Sequence, residues 1–506
     1  MSRLWPVLLW IVAALWLGWW LTGNPLPDGY QNEYLHIGNA LDLWAALAER
    51  DVWHLRWYMY TGYWPWGFYA VPWPMMALLG PGRMALIATN LIHLGVLLAA
   101  MGSLGRRLGA PLAPVLLLLC PGVFGSLVRY EPNLAVIAWT AAGLAFLIRS
   151  QGLRVRGDVL GYGLCLGVGL MMDRLTVLFF LAPAVLPLLR GADRRAWGNL
   201  ALGLGATLLL SAAYYREFFI RHTAELLSQA PVGEIDSAGA VTVGDGLLDA
   251  VYYPLVLLDS QAGPIIGGLM LWGVGAAVME LWRERGRSRA AGVLLAAIIP
   301  ATIFFTFIAK KQVYYTLPAL APLAVLAAGR GRLAWLGVLG GVWSWLAVGI
   351  GAVPGGPWMP IDWVAPRHIL ARPPSGQDWP LDEASAVLLG GSGGVLVFSE
   401  DSTLFEGFVT LAVREALPGR TVRGVTLDPI GSYEFLSELD GFVWVGSPGG
   451  AWPAASRIRS ELLTDHYDLA ELPDLGGAIE AAGSGFVEQG RWPAGDMELV
   501  VFSRTD

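Results

Sequence analysis

Long apolar runs separated by short charged loops dominate the first 350 positions. The runs lie near 5–21, 84–101, 108–128, 132–148, 159–172, 175–189, 199–214, 264–282, 290–309, 314–329 and 333–350. About 20 apolar residues cross a bilayer as a helix, and tilted or partly buried helices manage with fewer, so the pattern predicts about eleven transmembrane helices. The first run follows Arg3 and has no clear small-x-small cleavage site, so it reads as a signal anchor.

Polar positions between the runs are of two kinds. Arg106-Arg107, Arg149 to Arg156, Arg190 to Arg195, Arg283 to Arg289, and Arg330 with Arg332 fall on one face if the spans alternate. This positive-inside pattern predicts a cytoplasmic face, a cytoplasmic N-terminus and an extracytoplasmic C-terminus. The opposite face receives a long loop (22–83), tight turns at 129–131 and 173–174, a loop at 215–263, and the Lys310-Lys311 turn. In the first loop Ile37, Ala40, Leu41, Trp44, Leu47 and Ala48 recur at helical spacing, with Asn39, Asp42 and Glu49 on the other side, which predicts an amphipathic interfacial helix.

The pattern changes after Val353. Residues 354–380 are rich in Pro and Gly and read as a linker. Strand-like runs at Val395–Phe398, Val422–Leu427, Phe442–Val445 and Leu499–Phe502 alternate with helical stretches at Thr403–Leu417 and Ala454–Leu463, predicting a soluble α/β domain over 381–506. The fold class is thus an α-helical polytopic membrane protein (1–353) with a C-terminal α/β domain. The glycines at 390–394 precede a strand, which excludes a dinucleotide-binding loop there.

Composition sharpens this reading. Only 14% of the 506 residues are charged against 55% hydrophobic, and the mean hydropathy is +0.53, which excludes an ordinary soluble protein. The net charge of −7 argues against nucleic acid as a partner. Cys120 and Cys165 sit inside apolar runs and read as buried filler. Arginine supplies nearly all the positive charge. Lys310 and Lys311 are the only lysines, which suggests a place where a compact ammonium matters.

Ionisable groups at membrane depth are uncommon and usually functional. Asp28 and Glu33, just after the first span, are candidate general bases; a solvated loop acid and a helix-start acid are the alternatives. Arg129 and Glu131 occupy one tight turn, where Glu131 can meet the first-loop acids, share a divalent metal with them, or simply pair at a helix cap. Asp173-Arg174 breaks the positive-inside pattern and is either a phosphate-binding arginine with its neighbour or a self-satisfied pair. Lys310-Lys311 breaks it again, and a lipid phosphate or snorkelling to headgroups would explain them. His36, three residues after Glu33, permits joint metal binding. The aromatic and proline-rich stretch Tyr58–Trp73 is either an interfacial belt or a substrate lining.

The layout resembles the GT-C class of membrane glycosyltransferases, especially bacterial protein O-mannosyltransferase-like and aminoarabinose transferase-like enzymes. The likeness covers roughly residues 1–350. Asp28 and Glu33 stand where those enzymes have an acidic motif after span one. Tyr63-Trp64-Pro65-Trp66-Gly67-Phe68-Tyr69 looks like their proline–tyrosine segment, Glu131-Pro132 like their second acidic turn, and Lys310, Tyr314 and Leu317-Pro318 like a late Lys-x-x-x-Tyr-x-Leu-Pro element. Two departures stand out: Asn32-Glu33 replaces the usual adjacent Asp-Glu pair, and Asp173-Arg174 replaces the usual lysine after span five.

The resemblance implies a polyprenyl-phosphate sugar as donor, a glycan, lipid or protein acceptor, membrane lipids as surroundings, and a bacterial inner-membrane location. Asp28 or Glu33 would deprotonate the acceptor, with Glu131 orienting it or helping to hold a divalent metal. Arg129, Asp173, Arg174, Lys310, Lys311 and Tyr314 would bind the donor and its phosphate. Two rivals make different predictions. A transporter or flippase predicts charges midway along helices, and a non-catalytic scaffold with an exported binding domain predicts scattered outer charges.

Overall fold

The computed structural model describes residues 4–23, 31–61, 64–191, 193–228, 247–284, 289–308, 312–353, 386–387, 394–399, 422–424, 439–446, 486–494 and 497–504. Asp28, Tyr63, Lys310, Lys311, the linker and the helical stretches expected at 403–417 and 454–463 lie outside the described residues. The chain divides into two compact units: residues 1–21 with 39–374, and residues 22–38 with 375–506.

The first unit is helical. Helix α1 (Trp5–Thr22) is tied into it by indole N–H groups: Trp10 donates to the Leu91 carbonyl (2.7 Å) and Trp16 to that of Gly349 (3.3 Å). Helix α2 (Gln31–Ala48) follows, then α3 (Val52–Thr61), α4 (Trp66–Ala70) and α5 (Trp73–Leu79). Helices α6 (Arg83–Ala88) and α7 (Asn90–Arg107) run on as one apolar segment long enough to cross a bilayer. The expected single span at 108–128 is instead two short helices, α8 (Ala113–Leu118) and α9 (Pro121–Leu127). Cys120 takes an extended conformation between them (ψ 127°). A residue before proline is pushed out of the helical region, and Pro121 has no N–H to continue the ladder.

The remaining helices are α10 (Asn133–Arg149), α11 (Arg156–Met172), α12 (Thr176–Leu189), α13 (Arg194–Ser228), α14 (Leu247–Val256), α15 (Pro264–Arg283), α16 (Arg289–Phe307), α17 (Leu320–Ala328) and α18 (Leu333–Ser344). Helix α13 extends well beyond residue 215, where a loop was expected, because the aromatic run Tyr214 to Phe219 packs on itself at helical spacing. The run at 314–329 opens as turns and a 3₁₀ segment, Leu317–Ala319, before α17 begins. Among the described residues six segments are long and apolar enough to span a membrane, with shorter apolar helices at 133–149, 176–189 and 317–328. The protein is a multi-pass membrane protein.

Glycines let these helices touch. A Cβ on Gly163 would lie 2.1 Å from the Gly203 carbonyl oxygen, and one on Gly203 would lie 2.9 Å from the Val159 oxygen. Thr207 then reaches across to donate to the Gly163 carbonyl (2.8 Å). Apolar side chains gain little by association in lipid, so close backbone approach at small residues holds α11 to α13.

The second unit contains a five-stranded sheet in the order β2-β1-β3-β5-β4, formed by β1 (Gly394–Ser399), β2 (Val422–Gly424), β3 (Leu439–Gly446), β4 (Phe486–Ala494) and β5 (Met497–Arg504). Strands β2, β1 and β3 pair in parallel, and β5 pairs antiparallel with both β3 and β4. Strand β4 was not anticipated, because Gly490 and Pro493 punctuate it. It is an edge strand with a register shift between Glu488 and Gly490, a position that tolerates both residues. Leu499, Val500 and Val501 of β5 are all fully buried, so both faces of that strand are covered.

Candidate active site

The face opposite the arginine-rich loops begins with the turn between α9 and α10. Its residues Arg129, Tyr130 and Glu131 are all buried. The last carbonyls of a helix have no partner within it. Here the Asn90 amide at the start of α7 supplies one, donating to the carbonyls of Ser126 (3.3 Å), Leu127 (3.0 Å) and Arg129 (2.6 Å). The Glu131 carboxylate accepts from the Asn133 amide (2.6 Å), which fixes it at the head of α10. We expect Asn90→Ala to lower stability by roughly 1–3 kcal/mol, since buried carbonyls lose their donor. A thermal melt of the purified protein checks this, and an unchanged melting temperature would contradict it.

The aromatic segment docks on this turn. Phe68 of α4 stacks on Tyr130, with centroids 4.7 Å apart, and the Tyr130 hydroxyl donates to the Phe68 carbonyl (3.1 Å). Burial pushes the Tyr130 phenol well above its ordinary pKa, so it stays a neutral donor. Tyr69 meets Phe68 edge-on and accepts from the Asn39 amide (3.3 Å). Gly67 lies against the end of α11: a Cβ there would come 2.7 Å from Met171 Cβ and 2.9 Å from the Met171 oxygen.

That contact brings in the turn between α11 and α12. Asp173 ends α11, and its carboxylate accepts from the Leu175 N–H (2.7 Å). Burial raises the Asp173 pKa, while the Leu175 N–H and the Arg174 charge oppose the rise. The Arg174 guanidinium lies 5.6 Å from the Trp64 ring and 5.4 Å from that of Phe218, within cation–π range of both. Segment 64–69 therefore touches both charged turns.

A third piece follows Lys310-Lys311. Gln312, Val313 and Thr316 are buried, and Tyr315 stacks on Phe305 at 5.0 Å. Tyr314 is half-buried and meets Tyr315 edge-on. The Gln261 amide donates to the Val313 carbonyl and to the Thr316 hydroxyl (2.9 Å), clamping this turn. Leu317–Ala319 packs against α10 and α12, and a Cβ on Gly122 of α9 would lie 2.6 Å from Leu317 Cδ2 and 3.1 Å from the Gln261 oxygen. The three turns thus belong to one end of the bundle.

Asn90, Asp259 and Gln261 are residues of these turns and their supports that sequence reasoning missed. A signal existed for two of them. Asp259, Ser260 and Gln261 are three consecutive polar residues beside an apolar run, all buried in the π-helical segment Leu257–Gln261. Such local widening of a helix is frequent at functional sites.

Glu33 and His36 belong to the second unit. On α2 they share a buried stripe with Ile37, Ala40 and Leu43. Of the apolar face expected at Ile37, Ala40, Leu41, Trp44, Leu47 and Ala48, Ile37 and Ala40 lie in this stripe and the other four are half-buried or exposed. Glu33 is therefore not a solvated acid. Burial pulls the His36 imidazole down to about 3, which keeps it neutral at physiological pH. Among the described residues no three of His, Cys, Asp and Glu gather closely enough to hold a metal ion.

No family model and no curated protein matches the sequence. The structure is similar to apo ArnT from Cupriavidus metallidurans, with a TM-score of 0.55 over 98% of this chain and 97% of that one at 16% identity. It is also similar to the same ArnT bound to undecaprenyl phosphate, with a TM-score of 0.54 over 99% and 98% of the two chains at 15% identity. The fold is GT-C-like. A GT-C-like fold was expected for residues 1–350; the match extends over nearly the full length, so the C-terminal unit is part of the likeness. The count of eleven spans is not fixed by it.

Proposed function

We propose that the protein is an inner-membrane glycosyltransferase that moves a sugar from a polyprenyl-phosphate donor to an acceptor outside the cytoplasm. One observation carries this: Trp64–Tyr69 touches both the Arg129–Glu131 turn and the Asp173–Arg174 turn at one end of a GT-C-like bundle. The undecaprenyl phosphate of the second ArnT structure supports a lipid phosphate as the leaving group. The charges named here sit at helix ends, which a transporter reading does not predict. The positive-inside pattern supports an extracytoplasmic site.

In the proposed reaction Asp28 or Glu33 takes the acceptor hydroxyl proton. The acceptor oxygen bonds to the anomeric carbon as the carbon–phosphate oxygen bond breaks, with inversion. Negative charge grows on the departing lipid phosphate, and Arg174, Lys310 and Lys311 stabilise it where little water competes. Arg129 and Tyr314 position the donor. Glu131 orients the acceptor; any divalent ion would draw on this carboxylate.

Two experiments test the reading. Purified protein is expected to bind undecaprenyl phosphate, and the doubly substituted Lys310→Gln, Lys311→Gln protein at least tenfold more weakly. Deleting the gene should remove a modification from surface glycans or glycoproteins, seen by mass spectrometry and restored by the wild-type copy. No lipid-phosphate binding together with unchanged glycans would overturn the assignment. A further prediction concerns the clamp. Gln261→Leu keeps its volume but frees the Val313–Thr316 turn, and should raise KM for the donor roughly tenfold, about 1.4 kcal/mol, with a smaller change in kcat. A KM equal to wild type would show that the clamp does not serve donor binding.

A further inference from the structure

On the arginine-rich face, the ends of α10, α12 and α16 and the turn after α10 enclose a cavity of about 170 Å³. Its lining combines Leu147, Leu186, Pro187 and Val293 with the guanidinium-bearing Arg154 and Arg190. One wall is the Gln151-Gly152 backbone. The candidate active site lies at the other end of α10, whose 17 residues rise about 25 Å.

This turn is strained. Gln151, Gly152 and Leu153 have φ of 53°, 78° and 70°. The left-handed region costs a non-glycine residue roughly 1–2 kcal/mol, and consecutive residues seldom share it. Such strain persists where the surroundings over-determine the conformation, and it gathers at ligand sites. Here the Ser150 hydroxyl donates to the Leu147 carbonyl (2.6 Å) and accepts from the Leu153 N–H (3.1 Å). The Asn199 amide of α13 donates to the carbonyls of Leu153 (2.9 Å) and Arg154 (3.1 Å). Leu153 itself is fully buried.

Charge is arranged just as closely. Arg149 pairs with Asp158 at 2.9 Å, and Arg154 pairs with Asp193 at 3.1 Å. Asp193 also accepts from the Ala196 N–H (2.9 Å), and this bond, then the Arg154 guanidinium, holds its carboxyl below the usual range. Arg190 has no carboxylate partner among the described residues. Gly292 makes room for its head group: a Cβ there would lie 2.8 Å from Arg190 Nη2. A cation at the end of α12 is favoured by the helix dipole alone, by about 0.3–1 kcal/mol. The dipole explains neither the apolar cavity beside it nor the strained turn.

We propose that this cavity takes the phosphodiester headgroup of an anionic phospholipid from the adjacent leaflet. The Arg190 guanidinium meets the phosphate through paired N–H groups. The wall of Leu186, Pro187 and Val293 covers the glycerol and the first acyl carbons. The proposal is independent of the transfer reaction.

The test uses the full-length protein in detergent with phosphatidylglycerol, phosphatidylethanolamine or inorganic phosphate. In native mass spectrometry phosphatidylglycerol should persist as a single-lipid adduct and raise the melting temperature. Arg190→Gln should weaken the adduct at least tenfold, whereas Arg332→Gln, at an arginine that does not line the cavity, should not. Equal retention of phosphatidylethanolamine, equal stabilisation by inorganic phosphate, or an adduct indifferent to Arg190→Gln would overturn the proposal. A photoreactive phosphatidylglycerol on the wild-type protein keeps the test independent of the folding of the variants. Crosslinks should fall within 186–191 and 290–293, and crosslinks confined elsewhere would refute it.

Discussion

Arg174→Gln is expected to lower kcat for the proposed sugar transfer by roughly 10²–10³ while the protein keeps its wild-type melting behaviour. The guanidinium stands between Trp64 and Phe218, on the turn that ends α11. Its neighbour Asp173 is engaged by the Leu175 N–H, which anchors the backbone and leaves the turn intact when Arg174 changes. A charge held between aromatic faces is already oriented and partly desolvated, so it acts on a developing phosphate charge without reorganising at the moment of reaction. Arg174→Lys retains the charge but loses the planar, delocalised guanidinium and its fixed fork of donors, so an intermediate rate is expected. Measuring kcat and KM separately distinguishes two roles. A fall in kcat marks stabilisation of the leaving phosphate, and a rise in KM alone marks ground-state donor binding. Wild-type kcat in a folded Arg174→Gln protein would remove this residue from the mechanism.

Gly163→Val should abolish recovery of folded protein. A Cβ at this position would sit 2.1 Å from the Gly203 carbonyl oxygen and 2.5 Å from its carbon, both backbone atoms that no rotamer change can move aside. Helices α11 and α13 would have to separate. The Thr207–Gly163 hydrogen bond and the contact of Gly203 with Val159 would go with them. Overpacking alone typically costs about 1–3 kcal/mol, and a backbone clash between two long helices lies at or beyond the top of that range. Size-exclusion profiles and melting curves from matched preparations measure the outcome. Gly268→Ala in α15, where nothing lies within 4 Å of the new Cβ, is the control and should behave as wild type. A folded Gly163→Val protein with an unshifted melt would mean that α11 and α13 are not held by close backbone approach.

Which parts were legible in the sequence follows from the range of the forces involved. The apolar runs were legible because transfer from water to lipid is a local property of each segment. The charged turns stood out for the same reason, since Arg129, Glu131, Asp173 and Arg174 each break a strong local expectation. Strand β5 was visible as Leu499–Phe502, whereas β4 was hidden by Gly490 and Pro493. Those residues weaken an isolated strand but are harmless at the edge of this sheet. On α2 the helix and its hydrophobic period were legible, and Ile37 and Ala40 are buried as expected. The buried stripe includes Glu33 and His36, which a rule based on apolar residues assigns to water.

By itself, then, the sequence determined that this is a multi-pass membrane protein with an arginine-rich face, a second face of unexpected charges, and a C-terminal part built with strands. Those features depend on residues near one another in the chain. Only the tertiary structure decided which distant turns meet. Gly67 against Met171, Phe68 on Tyr130, Trp64 beside Arg174 and Gln261 under Val313 are all long-range contacts, across 62 residues for Phe68 with Tyr130 and 52 for Gln261 with Val313. Shape and hydrogen-bond matching between helices select such pairs, and neither quantity is written in the local order of residues.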